Sequence, residues 1–345
     1  MGSLVRVSIL SGFSEFVEQL GGRGEAFLAE FGMPCDISPA DSRLVSFVEV
    51  ARLLETAARR LDRPDLGLCL ASRQGVDRLG GIGVVACNAA TPRQALLSVR
   101  RFLSLHSSSL SMQMEPLSEG DVLRIVFDWQ DPALSSYRQI REQVLGNTLT
   151  MIRMLVETEC CPQNVLLPHG PQMAEGDYCN FFGCEVLFSS GYCAMDFPAA
   201  FLDTPLKSAD PVVERLAIHH LEQQSATLPV PLTVEIRQLL SEILPSGRSQ
   251  LGNVAGALKL HPRTLQRRLA AEGLRFEELL DNVRRDLATR YLSDPNLALG
   301  QITGLLGYSE QSTFQRACRR WFAETPRNHR LRLAGSAIVG RPESP

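Results

Sequence analysis

Two stretches near the carboxyl end of the chain repeat one pattern, and this repeat limits the possible folds more than any other feature. The stretches are VAGALKLHPRTLQRR, residues 254–268, and ITGLLGYSEQSTFQRA, residues 302–317. Val254 aligns with Ile302 at an offset of 48, and beyond a central turn the offset becomes 49. Two copies in so short a segment indicate a duplicated supersecondary unit.

Each copy has the pattern of a helix-turn-helix. Small residues, Ala255 and Thr303, stand where the second helix would cross the first. Gly307 can supply a positive φ in the turn of the second copy, and Pro262 suits the first position of a helix. We expect Ser309 to cap the second helix of the second copy, because a serine oxygen accepts a hydrogen bond from a free backbone N–H.

The second helix of each copy is predicted to have one buried and one exposed face. Leu265 and Leu269 in the first copy, and Phe314 and Trp321 in the second, fall on the apolar side. The opposite side carries the candidate DNA-binding residues, which are Arg263, Gln266, Arg267, Arg268, Gln311, Ser312, Gln315, Arg316, Arg319 and Arg320. Arginine can form two hydrogen bonds with guanine, glutamine two with adenine, and spare arginines neutralise phosphates. The repeat therefore predicts two recognition helices for double-stranded DNA; two solvated amphipathic helices are the alternative.

The charge distribution agrees with a polyanionic partner for the carboxyl-terminal part. Residues 228–345 contain 17 Lys and Arg against 11 Asp and Glu, a net charge of +6. The first 227 residues contain 18 against 27, a net charge of −9. Such an asymmetry is typical of an acidic globular part joined to a basic binding part.

The periodicity of the apolar residues predicts two domains of different class. Helical spacing early in the chain, followed by a hairpin (SLSMQMEPL and DVLRIVFDW around the turn SEG) and several short strands, predicts an α+β domain. Segments after the proline-containing stretch SATLPVPL, residues 225–232, read as helices alone, so an all-α DNA-binding domain follows. The predicted boundaries are 1–207 for the α+β domain, 208–230 for a helix and linker, and 231–335 for the DNA-binding domain. Within the latter we expect helix-turn-helix motifs at about 251–271 and 299–322, with a connecting helix at about 277–292.

Targeting and cysteine patterns favour a cytoplasmic protein without a membrane partner. The chain shows no pattern of a signal peptide and no run of eighteen apolar residues. Its nine cysteines form no C-x-x-C pair, which is typical of free thiols in a reducing compartment. Cys179, Cys184 and Cys193, with His169 nearby, are the one grouping that could hold a metal or sense oxidants, but their spacing matches no standard zinc pattern.

Two other classes of function are alternatives to DNA-binding regulation. One is an enzyme with an appended DNA-binding domain, but the chain contains no G-x-S-x-G, Walker A or H-E-x-x-H motif. His106, His169, His219 and His220 have no matching nucleophile pattern, so no catalytic residue, metal or cofactor is expected. The other is a thiol redox-sensing regulator that uses the cysteines between 160 and 193.

The repeat also resembles a known family. LHPRTLQRRLAAEGLRFEELLDNVRRDLATRYL and ITGLLGYSEQSTFQRACRRWFAETPRNHR are similar to the DNA-binding domain of AraC/XylS-type transcriptional regulators over about residues 231–333. The match includes the turn Gly307, Tyr308 and Ser309, and the closing Pro326 and Arg330. The resemblance implies two helix-turn-helix units that read neighbouring major-groove segments of promoter DNA. It further implies an activator with RNA polymerase as a partner.

Four positions depart from the pattern of that family. Thr303 stands where alanine is usual, Ala323 and Lys259 where glycine is common, and His329 where tyrosine is usual. We expect these changes to affect the stability of the turns more than the function.

The amino-terminal part resembles the effector-side domain of an AraC-type subgroup that includes ornithine-utilisation and VirS-like virulence regulators. The similarity lies in LGGIGVVACNAATPRQALLSVRRFLSLHS, residues 79–107, and differs from the arabinose-binding cupin barrel. It implies a sensing and dimerising domain, with a small-molecule effector and a homodimer as expected partners. The candidate effector-binding residues are Arg101, His106, Phe127 and Trp129.

The segment PVVERLAIHHL is a candidate dimer surface. Val212, Val213, Leu216 and Leu221 form an apolar stripe at helical spacing. Burial of this stripe in the core of its own domain is the alternative.

Overall fold

The computed structural model describes residues 3–117, 121–157, 160–227, 232–271, 273–293 and 297–338. The chain forms two compact units, Met1–Phe188 with Tyr192–Pro229, and Ser189–Gly191 with Val230–Pro345. Each unit has a hydrophobic core of its own. The first unit is α+β and the second is all-α in its described residues, so the predicted fold class is confirmed.

In the first unit, helices hold more of the described residues than strands do. Ser46 caps α3 through its hydroxyl, and Thr91 caps α6 with Pro92 at the first helical position. Such caps satisfy N–H groups that have no partner inside the helix. The helices are α1 (Phe13–Gln19), α2 (Gly24–Glu30), α3 (Phe47–Arg60), α4 (Leu66–Ala71), α5 (Gly81–Asn88), α6 (Pro92–Phe102), α7 (Arg138–Val156), α8 (Glu175–Phe182), α9 (Ala199–Leu202) and α10 (Pro211–Thr227).

A five-stranded sheet packs with these helices in the first unit. Its strands are β3 (Leu110–Leu117), β4 (Val122–Trp129), β5 (Asn164–Leu166), β6 (Glu185–Leu187) and β7 (Cys193–Pro198). The order is β3-β4-β7-β5-β6, with β5 and β6 parallel and the other pairs antiparallel. The predicted hairpin pairs Met112 with Phe127, while its predicted turn SEG, residues 118–120, lies outside the described residues. The described sheet is open.

The early part of the chain also contains strands that the sequence did not predict. β1 (Leu4–Arg6) and β2 (Leu44–Ser46) form a small antiparallel sheet in which Val5 pairs with Val45. Three-residue strands are too short to show a period, so a helical interpretation of the first hundred residues missed them. Residues 225–227 of the predicted linker belong to α10, residues 228–231 lie outside the description, and the next helix begins at Leu232.

Helix α10 exposes most of its predicted apolar stripe. Val212, Val213 and Leu216 are exposed, whereas Leu221 is fully buried and packs in the core of the first unit. Gly81 on α5 makes this close approach possible, because a Cβ there would lie 2.9 Å from Leu221 Cδ2. The expected stripe therefore divides between one buried anchor and a solvent-facing patch.

The second unit is a set of short helices around a long central one. The helices are α11 (Leu232–Ile243), α12 (Leu251–Ala257), α13 (Pro262–Ala271), α14 (Phe276–Ser293), α15 (Leu299–Leu305), α16 (Gln311–Phe322) and α17 (Pro326–Ile338). Leu265, Leu287, Ile302 and Phe314 belong to one core that α14 crosses. No helix in the described ranges is both long and apolar enough to cross a membrane.

Candidate nucleic-acid interface and effector site

The two repeated units fold alike, down to their turns. The backbone N–H of Leu260 donates to the Ala255 carbonyl at 2.8 Å, and that of Tyr308 donates to the Thr303 carbonyl at 3.0 Å. This bond is typical of a helix end at which the next residue but one has a left-handed backbone conformation. The first copy therefore places Lys259 at φ 55°, where the second copy has a glycine.

Gly307 has the positive φ that the sequence predicted. Its φ is 69°, and a Cβ there would lie 2.6 Å from the Leu244 carbonyl oxygen. The predicted cap of α16 is wrong. Glu310, not Ser309, occupies the N-cap position, and it forms no side-chain capping bond. Ser309 precedes the N-cap by one residue. The periodicity of apolar residues does not place a helix start to within one residue.

The predicted apolar faces of the recognition helices point into the core. Leu265, Leu269 and Phe314 are buried, and Tyr308 stacks on Phe314 with ring centroids 6.2 Å apart. Trp321 is half-buried, and its Nε1 donates to Asp281 at 2.8 Å. This burial fixes the rotation of α13 and α16, so their opposite faces lie on the surface.

All ten candidate DNA-binding residues are exposed. Within the described ranges, the guanidinium groups of Arg263, Arg267, Arg268 and Arg319 form no hydrogen bond or ion pair. Arg316 donates to the neighbouring Thr313 hydroxyl at 3.3 Å on its own helix. These cations are available to an external anion.

Arg320 differs from the other arginines because it pairs with Asp281 on α14. Its guanidinium also lies over the Trp321 ring, 5.7 Å from the centroid. Asp281 therefore holds two consecutive side chains of α16 against the connecting helix. Sequence analysis missed Asp281, since no local pattern links residues 39 positions apart.

Arg284 is a second contact that sequence analysis missed. Its Nε donates to the Leu306 carbonyl at 3.0 Å, and its guanidinium carbon lies 4.4 Å from the centroid of the Tyr308 ring. The same side chain reaches Ser249 Oγ at 3.4 Å, just before α12. One arginine of the connecting helix thus contacts the turn of the second helix-turn-helix unit and the residue segment that leads into the first. Arg284 lies among acidic and basic residues of α14, so its sequence context did not indicate this role.

The departures from the family pattern are accommodated locally. The buried ring of His329 stacks on Phe322 with centroids 3.8 Å apart, and its Nδ1 lies 2.7 Å from Glu324 Oε1. The Thr303 hydroxyl donates to the Leu299 carbonyl at 2.8 Å. Ala323 ends α16 in the left-handed region at φ 59°, where glycine would be unstrained.

The structure separates the four candidate effector residues. His106 and Phe127 line one small cavity in the first unit, together with apolar side chains from α6, β3 and α7. Arg101 is exposed and pairs with Glu222 of α10 at 2.5 Å. Trp129 lies under Arg141, whose guanidinium carbon is 5.3 Å from the centroid of its ring. Neither Arg101 nor Trp129 lines the cavity.

The cysteines are free thiols, and burial raises the pKa of several of them. Burial raises the pKa of Cys184 to about 12 and that of Cys69 to about 11, and it raises the pKa of Cys193 further. A redox-sensing thiol needs a lowered pKa, because the thiolate is the reactive form. Among the described residues, His, Cys, Asp and Glu form no group of three or more that could hold a metal ion.

Comparison with known proteins gives the class. The family profile "Arabinose-binding domain of AraC transcription regulator, N-term" matches residues 21–206, and the profile "Helix-turn-helix domain" matches residues 254–332. The first match is to an arabinose-binding profile, although the sequence predicts a domain that differs from the arabinose-binding cupin barrel, and the described sheet of this unit is open. An α+β unit followed by a double helix-turn-helix unit agrees with the order of the two profiles. The chain belongs to the AraC-type family of transcriptional regulators.

Individual relatives confirm the subgroup that the sequence resembled. The chain is 36% identical to "HTH-type transcriptional regulator VirS" of Mycobacterium tuberculosis over 341 residues, 99% of each chain. It is 25% identical to "Ornithine utilization regulator" of Pseudomonas aeruginosa over 330 residues, 95% of this chain and 96% of that relative. A crystal structure of the transcriptional regulator CdpR from Pseudomonas aeruginosa aligns with 89% of this chain and 96% of that chain, at 22% identity and a TM-score of 0.43.

Proposed function

We propose that this regulator places α13 and α16 in neighbouring major-groove segments of promoter DNA. The observation that carries the proposal is that each of the two helices has an outward face on which every candidate contact residue is exposed. Arginines without a protein partner can neutralise phosphates and release the counterions that surround DNA. The net charge of +6 in residues 228–345 adds a long-range attraction for the duplex.

The residues have different proposed roles on the DNA. Gln266 and Arg267 on α13, and Gln315 and Arg316 on α16, contact base edges, where their paired hydrogen bonds distinguish adenine and guanine. Arg319 contacts phosphate. The pairing of Arg320 with Asp281 supports a weaker phosphate role for Arg320, because a new contact must compete with the existing one.

Selection of bound duplexes from a random library, followed by fluorescence anisotropy with the full chain, tests these roles. Replacing Arg316 by Ala should cost about 1–3 kcal/mol and relax one position of the selected site. Replacing Arg319 by Ala should weaken selected and random DNA alike and reduce the salt dependence. Arg59→Ala, which removes an exposed arginine of the first unit, is the matched control. Equal losses on selected and random DNA for Arg316→Ala would contradict the base-reading role.

The first unit supplies sensing and assembly in this proposal. We infer a homodimer in which the exposed patch of α10 (Val212, Val213 and Leu216) contacts a second copy, since large apolar side chains on one helix face favour association. A small-molecule effector and RNA polymerase are the other proposed partners, with activation as the outcome.

The alternatives receive less support from the structure. The family consists of transcriptional regulators, which favours binding without catalysis over an enzyme with an appended DNA-binding domain. The raised pKa values of Cys184 and Cys193 disfavour the thiol redox sensor.

A further inference from the structure

The cavity in the first unit combines apolar walls with a few convergent polar groups. Its volume is about 40 Å³, and ten of its fourteen lining residues are apolar. The polar members are Arg78, His106, Asn147 and Thr148. This composition is typical of small-molecule sites, in which apolar walls supply affinity and a few polar groups supply orientation.

Two of the polar groups have an atom without a hydrogen-bond partner. His106 is 2% exposed and Asn147 is 3% exposed, yet His106 Nδ1 and Asn147 Oδ1 are both unsatisfied within the described residues. A buried polar atom without a partner costs about 1–3 kcal/mol. The Thr148 hydroxyl, by contrast, donates to the Val144 carbonyl at 2.8 Å.

Two buried arginines near His106 lack a carboxylate partner. Arg78 is 8% exposed and Arg6 is 7% exposed, and in the described residues neither guanidinium forms a hydrogen bond or an ion pair. Burial lowers the pKa of Arg78 to about 10, which leaves it charged at neutral pH, while Asp77 attracts it from a longer distance. A buried charge that forms no ion pair is unfavourable.

The same surroundings set the protonation state of His106. Burial and the charges of Arg78 and Arg6 lower its pKa to about 3. The imidazole is therefore neutral at physiological pH, and its one N–H can donate to a ligand oxygen. An anion in this cavity would meet the Arg78 cation and a neutral donor, and the lining residues include no carboxylate.

We infer that this cavity binds a small monocarboxylate with an apolar body, whose carboxylate pairs with Arg78 and accepts a hydrogen bond from His106. A guanidinium binds a carboxylate through two parallel hydrogen bonds, which suits a single buried anionic group. The apolar walls favour an aliphatic ligand over an inorganic anion. The inference rests on the proposed sensing function of the first unit and names the chemical class of its effector.

The methionines of the wall allow the cavity to expand. At about 40 Å³ the cavity has room for no more than a few water molecules. Met112 and Met151 line it, and unbranched thioether side chains rearrange at low cost. A ligand of several carbons would bind by displacing these side chains.

Isothermal titration calorimetry of the full chain at constant ionic strength tests the inference. The probes are sodium acetate, butyrate, hexanoate and octanoate, with the primary amides of the same chain lengths as neutral controls and sodium phosphate as an inorganic anion. We expect affinity to rise about fourfold per added CH₂ until the cavity is full. Each acid should bind at least about tenfold more tightly than its amide, because the amide cannot neutralise Arg78.

Variants locate the site. Arg78→Met should reduce the affinity for the best acid on the order of ten- to a hundredfold, whereas Arg59→Met should leave it unchanged. Arg78→Lys keeps the charge but loses the two-bond geometry, so it should retain an intermediate affinity. Each variant is first checked for an unchanged circular dichroism spectrum, and the wild-type ligand series stands even if Arg78→Met does not fold.

Several results would overturn the inference. They are equal binding of acids and amides, binding of phosphate as tight as that of hexanoate, no measurable binding of any acid at millimolar concentration, or an unchanged affinity in a folded Arg78→Met. DNA binding of the same preparations, measured by anisotropy, separates this inference from the proposed function. Intact DNA binding without acid binding overturns the cavity assignment alone. Acid binding that leaves DNA affinity unchanged supports the site and overturns only its effector role.

Discussion

Two residues with a side chain have left-handed backbone angles in the second unit, and these angles cost stability. Lys259 and Ala323 both have φ near +55 to +60°, although each has a Cβ. The left-handed region costs a residue with a side chain roughly 1–2 kcal/mol relative to its usual conformation. Lys259 lies in the turn before α13 and Ala323 ends α16, so the strain lies next to the proposed DNA-binding face.

Replacing Lys259 or Ala323 by glycine should stabilise the second unit. The relief of strain is partly offset by the greater freedom of glycine in the unfolded chain, so we expect a gain of about 0.5–1 kcal/mol for each. Gly307→Ala is the opposite test, since its Cβ would lie 2.6 Å from the Leu244 carbonyl oxygen. It should lose more than about 2 kcal/mol. Thermal unfolding followed by circular dichroism measures all three; a Gly307→Ala protein as stable as wild type would refute the argument.

Glu142 is a single residue with an expected effect on pH dependence. Burial raises its pKa to about 7, although Arg138 and Tyr178 hydrogen-bond to its Oε1 at 2.7 and 2.8 Å. The folded state therefore binds a proton that the unfolded state releases between about pH 4.5 and 7. This contribution is fully present below pH 4.5 and is lost as the pH rises through 7.

Glu142→Gln should remove that contribution. His169 and His106 have lowered pKa values, about 4 and 3, and they contribute the opposite slope below about pH 6.5. The difference in unfolding free energy between wild type and variant isolates Glu142, and we expect it to change by up to about 1.4 kcal/mol per pH unit between pH 5 and 7. Denaturant titrations at several pH values measure it. A difference that does not depend on pH would show that Glu142 is already ionised throughout this range.

At the scale of elements, the long helix α7 depends on a residue from another helix. Glu55 of α3 accepts hydrogen bonds from the backbone N–H of Arg138 and, at 2.7 Å, from that of Gln139. The Tyr137 N-cap makes no side-chain bond of its own. A carboxylate at a helix amino terminus satisfies free N–H groups and interacts favourably with the helix dipole.

Glu55→Ala should therefore destabilise the first unit by about 1–2 kcal/mol. Glu55→Gln keeps an acceptor without the charge and should lose less. Glu18→Ala, at an exposed position of α1, controls for removal of a negative charge. The change is measured as a shift in the denaturant concentration at the midpoint of unfolding, provided that the dependence of the unfolding free energy on denaturant concentration is unchanged. Equal midpoints for Glu55→Ala and Glu18→Ala would contradict the capping role.

At the scale of the whole molecule, assembly is the property that decides how many DNA sites one regulator covers. The exposed patch of α10 is the proposed contact, and Leu216, 67% exposed, is its most accessible member. A buried aspartate without a partner is unfavourable at an apolar contact. Such a substitution should act on the dimer and leave the fold of the monomer intact.

Leu216→Asp should convert a dimer to a monomer in sedimentation velocity at micromolar concentration. Met154→Asp is the matched control, because Met154 is 50% exposed on α7 of the same unit and lies outside the patch. It should sediment like wild type. A monomeric wild-type protein would refute the dimer. A dimeric Leu216→Asp protein would show that the dimer contact lies on another surface.

Local patterns in the sequence determined the helices, the hairpin, the duplicated unit and the outward faces of α13 and α16. These properties follow from the spacing of apolar residues and from single turn residues such as Gly307, because backbone sterics and burial of one face act over a few residues. They also determined the family, since the motif lies within one continuous segment.

The tertiary structure alone decided which distant side chains meet. It joined Asp281 to Arg320 and Trp321, separated Arg101 from His106, and enclosed Arg78 beside the cavity. Arg78 follows a glycine-containing loop and has no periodic neighbours, so its sequence context resembles that of a surface residue. Burial and pairing of such charges depend on contacts between residues far apart in the chain, and a local pattern carries no information about those contacts.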